Sequence, residues 1–254
     1  MPEGNTVYLA AKRLDAALRG ETITASDFRV PRYATVDLSG RIVRSVTPTG
    51  KHLLFDLGDV TLHTHFRMQG SWHLYRSGER WKRPAHQARV VLTTDKWVAV
   101  GFDLPVIELV RDPATVVSEL GPDLMSESFD LQEAIRRLRR VPSRPVGEAL
   151  VDQRVVAGLG NVYRSEVCFL LGIDPATPVE QVDAAPMLRL ARRMIQANRT
   201  RGSQITTGDL RPERSRWVYG RGGSPCYRCG TTISSSRDAG GRVVYSCPSC
   251  QPSL

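Results

Sequence analysis

Four cysteines in two close pairs, Cys226-Tyr227-Arg228-Cys229 and Cys247-Pro248-Ser249-Cys250, with 17 residues between the pairs, constrain this chain more than any other feature. Two such knuckles put thiolate pairs on opposing turns of a short ribbon, the arrangement that tetrahedral zinc requires. Thr231-Thr232-Ile233 and Val243-Val244-Tyr245 read as its two strands, with Asp238-Ala239-Gly240-Gly241 as the reversal between them. Because Cys226, Cys229, Cys247 and Cys250 fill every coordination position, one Zn2+ is expected to stabilise the fold and to perform no chemistry. Arg242 opens the second strand, where it either clamps phosphates or is an ordinary surface arginine. The fifth cysteine, Cys168, sits among Val167, Phe169 and Leu170 and reads as a small buried apolar residue.

The opposite end of the chain carries a second signal. Once an initiator methionine is removed, Pro2 presents a free secondary amine with Glu3 beside it, a nucleophile next to an acid. The same dipeptide is also a common helix start. Asn5 to Gly20 reads as an amphipathic helix with Val7, Ala11, Leu14 and Leu18 on one stripe, Asn5 as N-cap and Gly20 as stop. From Glu21 to about Val110 the period shortens. Runs such as Arg41–Val46 and Ala88–Leu92 between Gly, Pro and Asp punctuation predict a β-sandwich or barrel. Lys51 directly follows the turn signal Thr47-Pro48-Thr49-Gly50, at a strand end where an ammonium meets a phosphate or simply solvent.

A linker is expected near Gly121-Pro122-Asp123, after which the pattern is helical. Leu131, Ala134, Ile135 and Leu138 form one stripe, and Gly158, Gly160 and Asn161 precede a helix over 162–171 whose N-terminus is suited to an anion. The 254 residues carry 35 Lys and Arg against 26 Asp and Glu, a net charge of +9 that suits a polyanionic partner, either nucleic acid or an anionic membrane surface. No apolar run is long enough to span a bilayer and no signal-peptide pattern opens the chain, so a cytoplasmic location is expected.

Five segments in order resemble the formamidopyrimidine-DNA glycosylase and endonuclease VIII family. They are Pro2-Glu3-Gly4, Gly50–Leu54, the run His65-Phe66-Arg67-Met68-Gln69-Gly70, the stretch Asp152–Glu166, and Tyr219-Gly220-Arg221 leading into the cysteines. Pro2-Glu3-Gly4 looks closer to the endonuclease VIII branch. The resemblance covers nearly the whole chain and implies an α+β fold. Its parts are an N-terminal catalytic β-sandwich preceded by a helix (1–120), a helix-two-turn-helix DNA-binding domain (121–222) and a β-hairpin zinc finger (223–254).

It also implies a bifunctional glycosylase and abasic-site lyase of base excision repair, acting as a monomer on damaged DNA in the nucleoid. Pro2 would attack C1′ and form a Schiff base, and Glu3 would donate a proton as the sugar opens. Lys51 and Arg242 would contact phosphates and serve as proton donors for β- and δ-elimination. Asn161, Gly158 and Gly160 would hold the DNA, and Met68 would fill the gap left by the extruded nucleotide.

Three departures from the family pattern are legible. An arginine and phenylalanine pair that ordinarily completes the wedge falls at Phe102–Ile107, which does not reproduce it; single-stranded, bubble or forked DNA is therefore the expected preference. Asn5-Thr6 replaces Pro-Glu, and Thr206–Arg216 is short and charged where the purine-excising branch has a longer loop. Both point to oxidised pyrimidines and ring-opened lesions. The alternatives are a non-catalytic zinc-containing DNA- or RNA-binding protein of the same fold and, further off, a zinc-ribbon assembly factor.

Overall fold

Apolar residues at Val7, Ala11, Leu14 and Leu18 recur every three or four positions, and Gly4–Leu18 is accordingly a helix, α1, that buries all four. The computed structural model describes residues 2–253. Gly20, at a left-handed φ of 80°, ends the helical stretch. Asn5 is not the N-cap: the helix starts one residue earlier, and the buried Asn5 amide donates to the Asn198 carbonyl at 3.4 Å. The chain divides into two units, one holding Pro2 and Thr6–Ser118, the other Glu3–Asn5 and the residues from Glu119 on.

The first unit contains two four-stranded antiparallel sheets. Strands β1 (Ala25–Phe28), β5 (Ser71–Arg76), β6 (Ala88–Thr93) and β7 (Trp97–Phe102) pair in the order β1-β6-β7-β5. Strands β2 (Ser45–Thr49), β3 (His52–Asp56), β4 (Thr61–His65) and β8 (Val106–Val110) pair as β2-β3-β4-β8. Of the run 41–46 only its end enters a strand; Ile42 makes an isolated bridge to Thr22. Pro48 is tolerated because β2 is an edge strand.

One core joins α1 to the inner faces of both sheets through Val46, Leu53, Phe55, Leu62, Trp72, Leu92 and Ala99. The Phe55 and Trp72 rings, 4.9 Å apart, bridge the two layers. The other face of the first sheet carries a smaller cluster of Tyr75, Ala88, Val91, Val100 and Phe102, with Trp81 packed on it. A four-residue helix, α2 (Ala114–Val117), closes the unit.

The second unit is helical up to its terminal ribbon: α3 (Leu131–Leu138), α4 (Val146–Val151), α5 (Asn161–Leu171) and α6 (Ala184–Ala197). Asp130 and Asp183 cap α3 and α6 by accepting from backbone N–H groups inside each helix. Gly121–Asp123 is paired structure: the Gly121 N–H reaches the Gln153 carbonyl at 2.8 Å, and Asp123 bridges Ala157. A Cβ at Gly121 would lie 2.3 Å from the Val155 oxygen, so only glycine allows that approach.

The ribbon strands are β9 (Ser234–Arg237) and β10 (Val243–Ser246), with Val243 opposite Arg237. The first strand therefore lies three residues beyond the 231–233 expected from its β-branched run. Those residues pair backwards instead, the Ile233 N–H to the Ser224 carbonyl and the Cys226 N–H to the Thr231 carbonyl, both at 2.9 Å. Ile233 is buried against Phe169, Val218, Cys226 and Cys247. Apolar content marked the knuckle's packing there, and not the ladder.

Candidate active site and metal centre

Glu3 is wholly buried, and its carboxylate sits on the N-terminus of α5. Its two oxygens accept the Gly160 N–H at 2.8 Å and the Val162 N–H at 2.7 Å. Two amides that a helix leaves unsatisfied thus meet a negative group at the positive end of the dipole. The glycines are needed for this approach. A Cβ on Gly160 would lie 2.6 Å from the Glu3 carboxyl carbon, and one on Gly4 would lie 3.0 Å from Gly158 Cα. Gly158 adopts a φ of 95°, and its carbonyl accepts the Gly4 N–H at 2.8 Å. Pro2, half-buried, precedes Glu3 directly; Met1 lies outside the described residues. Burial and the nearby Glu3 charge push the Tyr163 and Tyr219 phenols up, so both stay neutral beside it.

Asn161 starts α5 and ties it to the ribbon. Its amide donates to the Val243 carbonyl at 2.8 Å, and its oxygen accepts from the buried Arg164 guanidinium. Arg164 also pairs with Asp238 at 2.5 Å. The Asp238 carboxylate in turn accepts the Arg242 N–H at 2.8 Å and shapes the β9–β10 turn. Arg242 is exposed immediately before β10. Glu3, Gly158, Gly160 and Asn161 therefore form one continuous set, with Arg242 one residue from the Asn161 contact.

Lys51 and Met68 belong to the first unit. Lys51 follows Gly50, at a φ of 58°, in the two-residue turn that joins β2 to β3. Since His52 pairs with His65, that turn and the Phe66–Gly70 turn leave the same end of the β3–β4 pair. Met68 stands at the second turn, 61% exposed, where a core methionine would be buried. Phe102 is fully buried in the outer aromatic cluster, and no arginine occurs in 102–107.

Sequence reading gave no role to a histidine cluster beside Lys51. His63, buried, shares a 2.9 Å hydrogen bond with Glu108 through Nδ1 and a 2.8 Å one with His52 Nδ1 through Nε2. His65 accepts the Arg67 N–H through Nδ1, which places its proton on Nε2. Burial, then neighbouring His63, Arg67 and Lys51, lower His52 to about 4. Burial, then His52, Arg67 and Lys51, lower His65 to about 3. Histidines at 52, 63 and 65, alternating on paired strands, were the available signal. Glu166, deep in α5, was also missed; it holds the 206–219 segment through several donors.

The four ribbon sulfurs all lie within 4.8 Å of one another. The Cys229–Cys247 and Cys226–Cys250 separations are 3.4 and 4.0 Å. A tetrahedron with metal–sulfur bonds of about 2.3 Å has edges near 3.8 Å, so the set fits one four-coordinate thiophilic metal. No helix among the described residues is long and apolar enough to cross a membrane.

Residues 1–104 match the formamidopyrimidine-DNA glycosylase N-terminal domain family, and residues 120–201 match the formamidopyrimidine-DNA glycosylase H2TH domain family. The chain is 50% identical to a probable endonuclease 8 2 of Streptomyces coelicolor, over 99% of this chain and 94% of that one. It is 46% identical to the DNA-(apurinic or apyrimidinic site) lyase Nei2 of Mycolicibacterium smegmatis, over 99% of both. Its fold is similar to Lactococcus lactis formamidopyrimidine-DNA glycosylase bound to abasic-site DNA, with a TM-score of 0.82 and 26% identity over 99% of this chain and 100% of that one. With both family domains present and the amino-terminal acid seated on α5, the chain belongs to the formamidopyrimidine-DNA glycosylase and endonuclease VIII family, on the endonuclease VIII side.

Proposed function

We propose that this protein is a bifunctional DNA glycosylase and abasic-site lyase of base excision repair in which Pro2 is the nucleophile. The observation that carries the reading is the buried Glu3 carboxylate, pinned by the Gly160 and Val162 amides next to the terminal proline. With Met1 removed, the Pro2 nitrogen lone pair forms the N–C1′ bond, and the damaged base departs with the electrons of the glycosidic bond. As the N–C1′ bond forms, the Glu3 carboxylate takes the proton shed by the Pro2 nitrogen and delivers it to the ring oxygen as the sugar opens, while the expelled base is protonated from solvent. The resulting secondary-amine iminium is cationic at every pH. It withdraws electrons from C2′, whose proton is lost as the 3′ phosphate leaves, and a second elimination releases the 5′ phosphate.

Lys51, Asn161 and Arg242 hold the flanking phosphates, with Lys51 and Arg242 supplying protons to the two leaving groups. These contacts make affinity salt-dependent without choosing the base. The ribbon metal is zinc. When bound it holds the thiolates of Cys226, Cys229, Cys247 and Cys250 together and so presents the Arg242 turn, without entering the reaction.

The enzyme acts as a monomer on nucleoid DNA. It favours oxidised pyrimidines and ring-opened lesions, and works relatively better on single-stranded, bubble or forked DNA. Phe102 lies buried, and Glu166 keeps the short 206–219 segment tied to α5, both of which support that substrate reading. Borohydride trapping on abasic-site DNA, with the mature N-terminus verified by mass, together with base release from DNA carrying an oxidised pyrimidine, is the test. The wild-type protein should give a covalent adduct, P2G should lose most of it, and E3Q should lose base release. A wild-type protein with free Pro2 that forms no adduct would falsify the enzymatic reading.

A further inference from the structure

Among the described residues only two that are not glycine have a left-handed backbone: Arg67 at φ 48° and Asp103 at φ 46°. Each occupies a turn of the first unit, and one guanidinium reaches both turns. The first turn, Phe66–Gly70, closes through the Gly70 N–H on the Phe66 carbonyl at 2.8 Å. It is tight enough that a Cβ on Gly70 would lie 2.8 Å from the Phe66 oxygen. Met68 projects from it. The second turn follows β7, and the Asp103 N–H donates to the Gln87 carbonyl at 2.8 Å.

Arg83, in the β5–β6 connection, donates through Nη2 to Asp103 Oδ2 at 2.6 Å and through Nε to Gln87 Oε1 at 3.0 Å. Its Nη1 donates to Ser71 Oγ at 3.0 Å and, at a longer 3.5 Å, to the Gln69 carbonyl. The guanidinium also lies 5.6 Å from the Phe102 ring centroid. A planar fork with donors on two edges can bridge these acceptors together; a lysine has one point from which to donate.

We propose that Arg83 is a positioning residue for Met68, holding the Phe66–Gly70 turn against the Asp103 turn so that Met68 is presented rigidly to DNA. The inference rests on the reading of Met68 as the side chain that fills the gap left by an extruded nucleotide. Such a wedge works only if its turn does not yield when pressed into the base stack. Extrusion from a duplex therefore depends on Arg83, whereas a strand already unstacked needs it far less.

The test compares wild type, R83A, R83K and M68A on one lesion in a duplex and in a single strand, alongside hydrogen exchange of the Gly70 amide in the free protein. R83A should lower kcat/KM on the duplex by about ten- to a hundredfold, with a much smaller loss on the single strand. R83K should fall between, since it keeps the Asp103 ion pair without the fork. The Gly70 amide should exchange about tenfold faster in R83A, because its bond to Phe66 opens more often. Should R83A fold poorly, R83K gives the same two readouts. Unchanged Gly70 exchange overturns the proposal, as does an unaltered duplex-to-single-strand ratio in R83A where M68A shifts that ratio. If M68A leaves the ratio unaltered, the wedge reading fails instead, and Gly70 exchange alone decides whether Arg83 braces the turn.

Discussion

Replacing Glu166 with Gln should destabilise the second unit by about 3–5 kcal/mol, a figure that follows from its donors. The carboxylate is wholly buried on α5. One oxygen accepts the Val218 and Tyr219 N–H groups at 2.9 and 2.8 Å; the other accepts the Trp217 N–H at 2.7 Å and the Thr206 hydroxyl. Glutamine retains one accepting oxygen, and its best orientation keeps Val218 and Tyr219. The amide NH2 then faces Thr206, whose hydroxyl can turn to accept, and Trp217, whose N–H cannot.

One buried donor left unmet costs about 1–3 kcal/mol, and loss of charge on the two retained bonds adds about 1 kcal/mol each. Urea unfolding followed by near-UV circular dichroism reads the change, helped by Trp217, which stacks on Phe169 at 5.6 Å. A loss under about 1 kcal/mol would refute the reasoning, since even one orphaned amide should exceed it.

Acid should weaken the first unit earlier than carboxylate protonation would. His52 and His65 are lowered to about 4 and about 3, against about 6.5 when unfolded, so the unfolded chain binds the extra protons first. Stability is therefore full above about pH 6.5 and is lost as pH falls towards 4, by about 3 kcal/mol for His52 alone. A urea midpoint that does not move between pH 7 and 4.5, or that moves equally in a H52A/H65A variant, would contradict this. At the ribbon, C229S or a strong chelator should release one metal per chain, lower the melting temperature and weaken DNA binding; unchanged metal content and melting in C229S would exclude a four-thiolate site.

What the sequence made legible divides along the range of the forces involved. Helix α1 and the period-two strands follow from apolar spacing within a few residues, and the cysteine ribbon from a spacing that only a metal rationalises. The Ile233 segment misled because an apolar β-branched run has the same appearance in a knuckle and in a ladder. Asn5 was misread because its amide turns to Asn198, a partner 193 positions away. The His52–His63–Glu108 chain joins three strands and Arg83 joins three connections, so no local pattern announces either.

A chain terminus is ordinarily a poor place for a nucleophile, because the first residues fray unless something holds them. Here the residue after the proline is fixed at both carboxylate oxygens, and the next one by its N–H on the Gly158 carbonyl. With neighbouring Cα atoms about 3.8 Å apart, three hydrogen bonds at residues 3 and 4 leave the Pro2 nitrogen little room to wander. The glycines at 4, 158 and 160 permit that closeness, since a side chain at 160 would collide with Glu3, one at 4 would press tightly on Gly158, and Gly158 holds a left-handed φ. The carboxylate beside the proposed nucleophile thus also anchors it. Removing the Glu3 carboxylate should therefore loosen Pro2 as well as withdraw a proton, so E3Q is expected to slow adduct formation even on a preformed abasic site, where no base remains to be expelled.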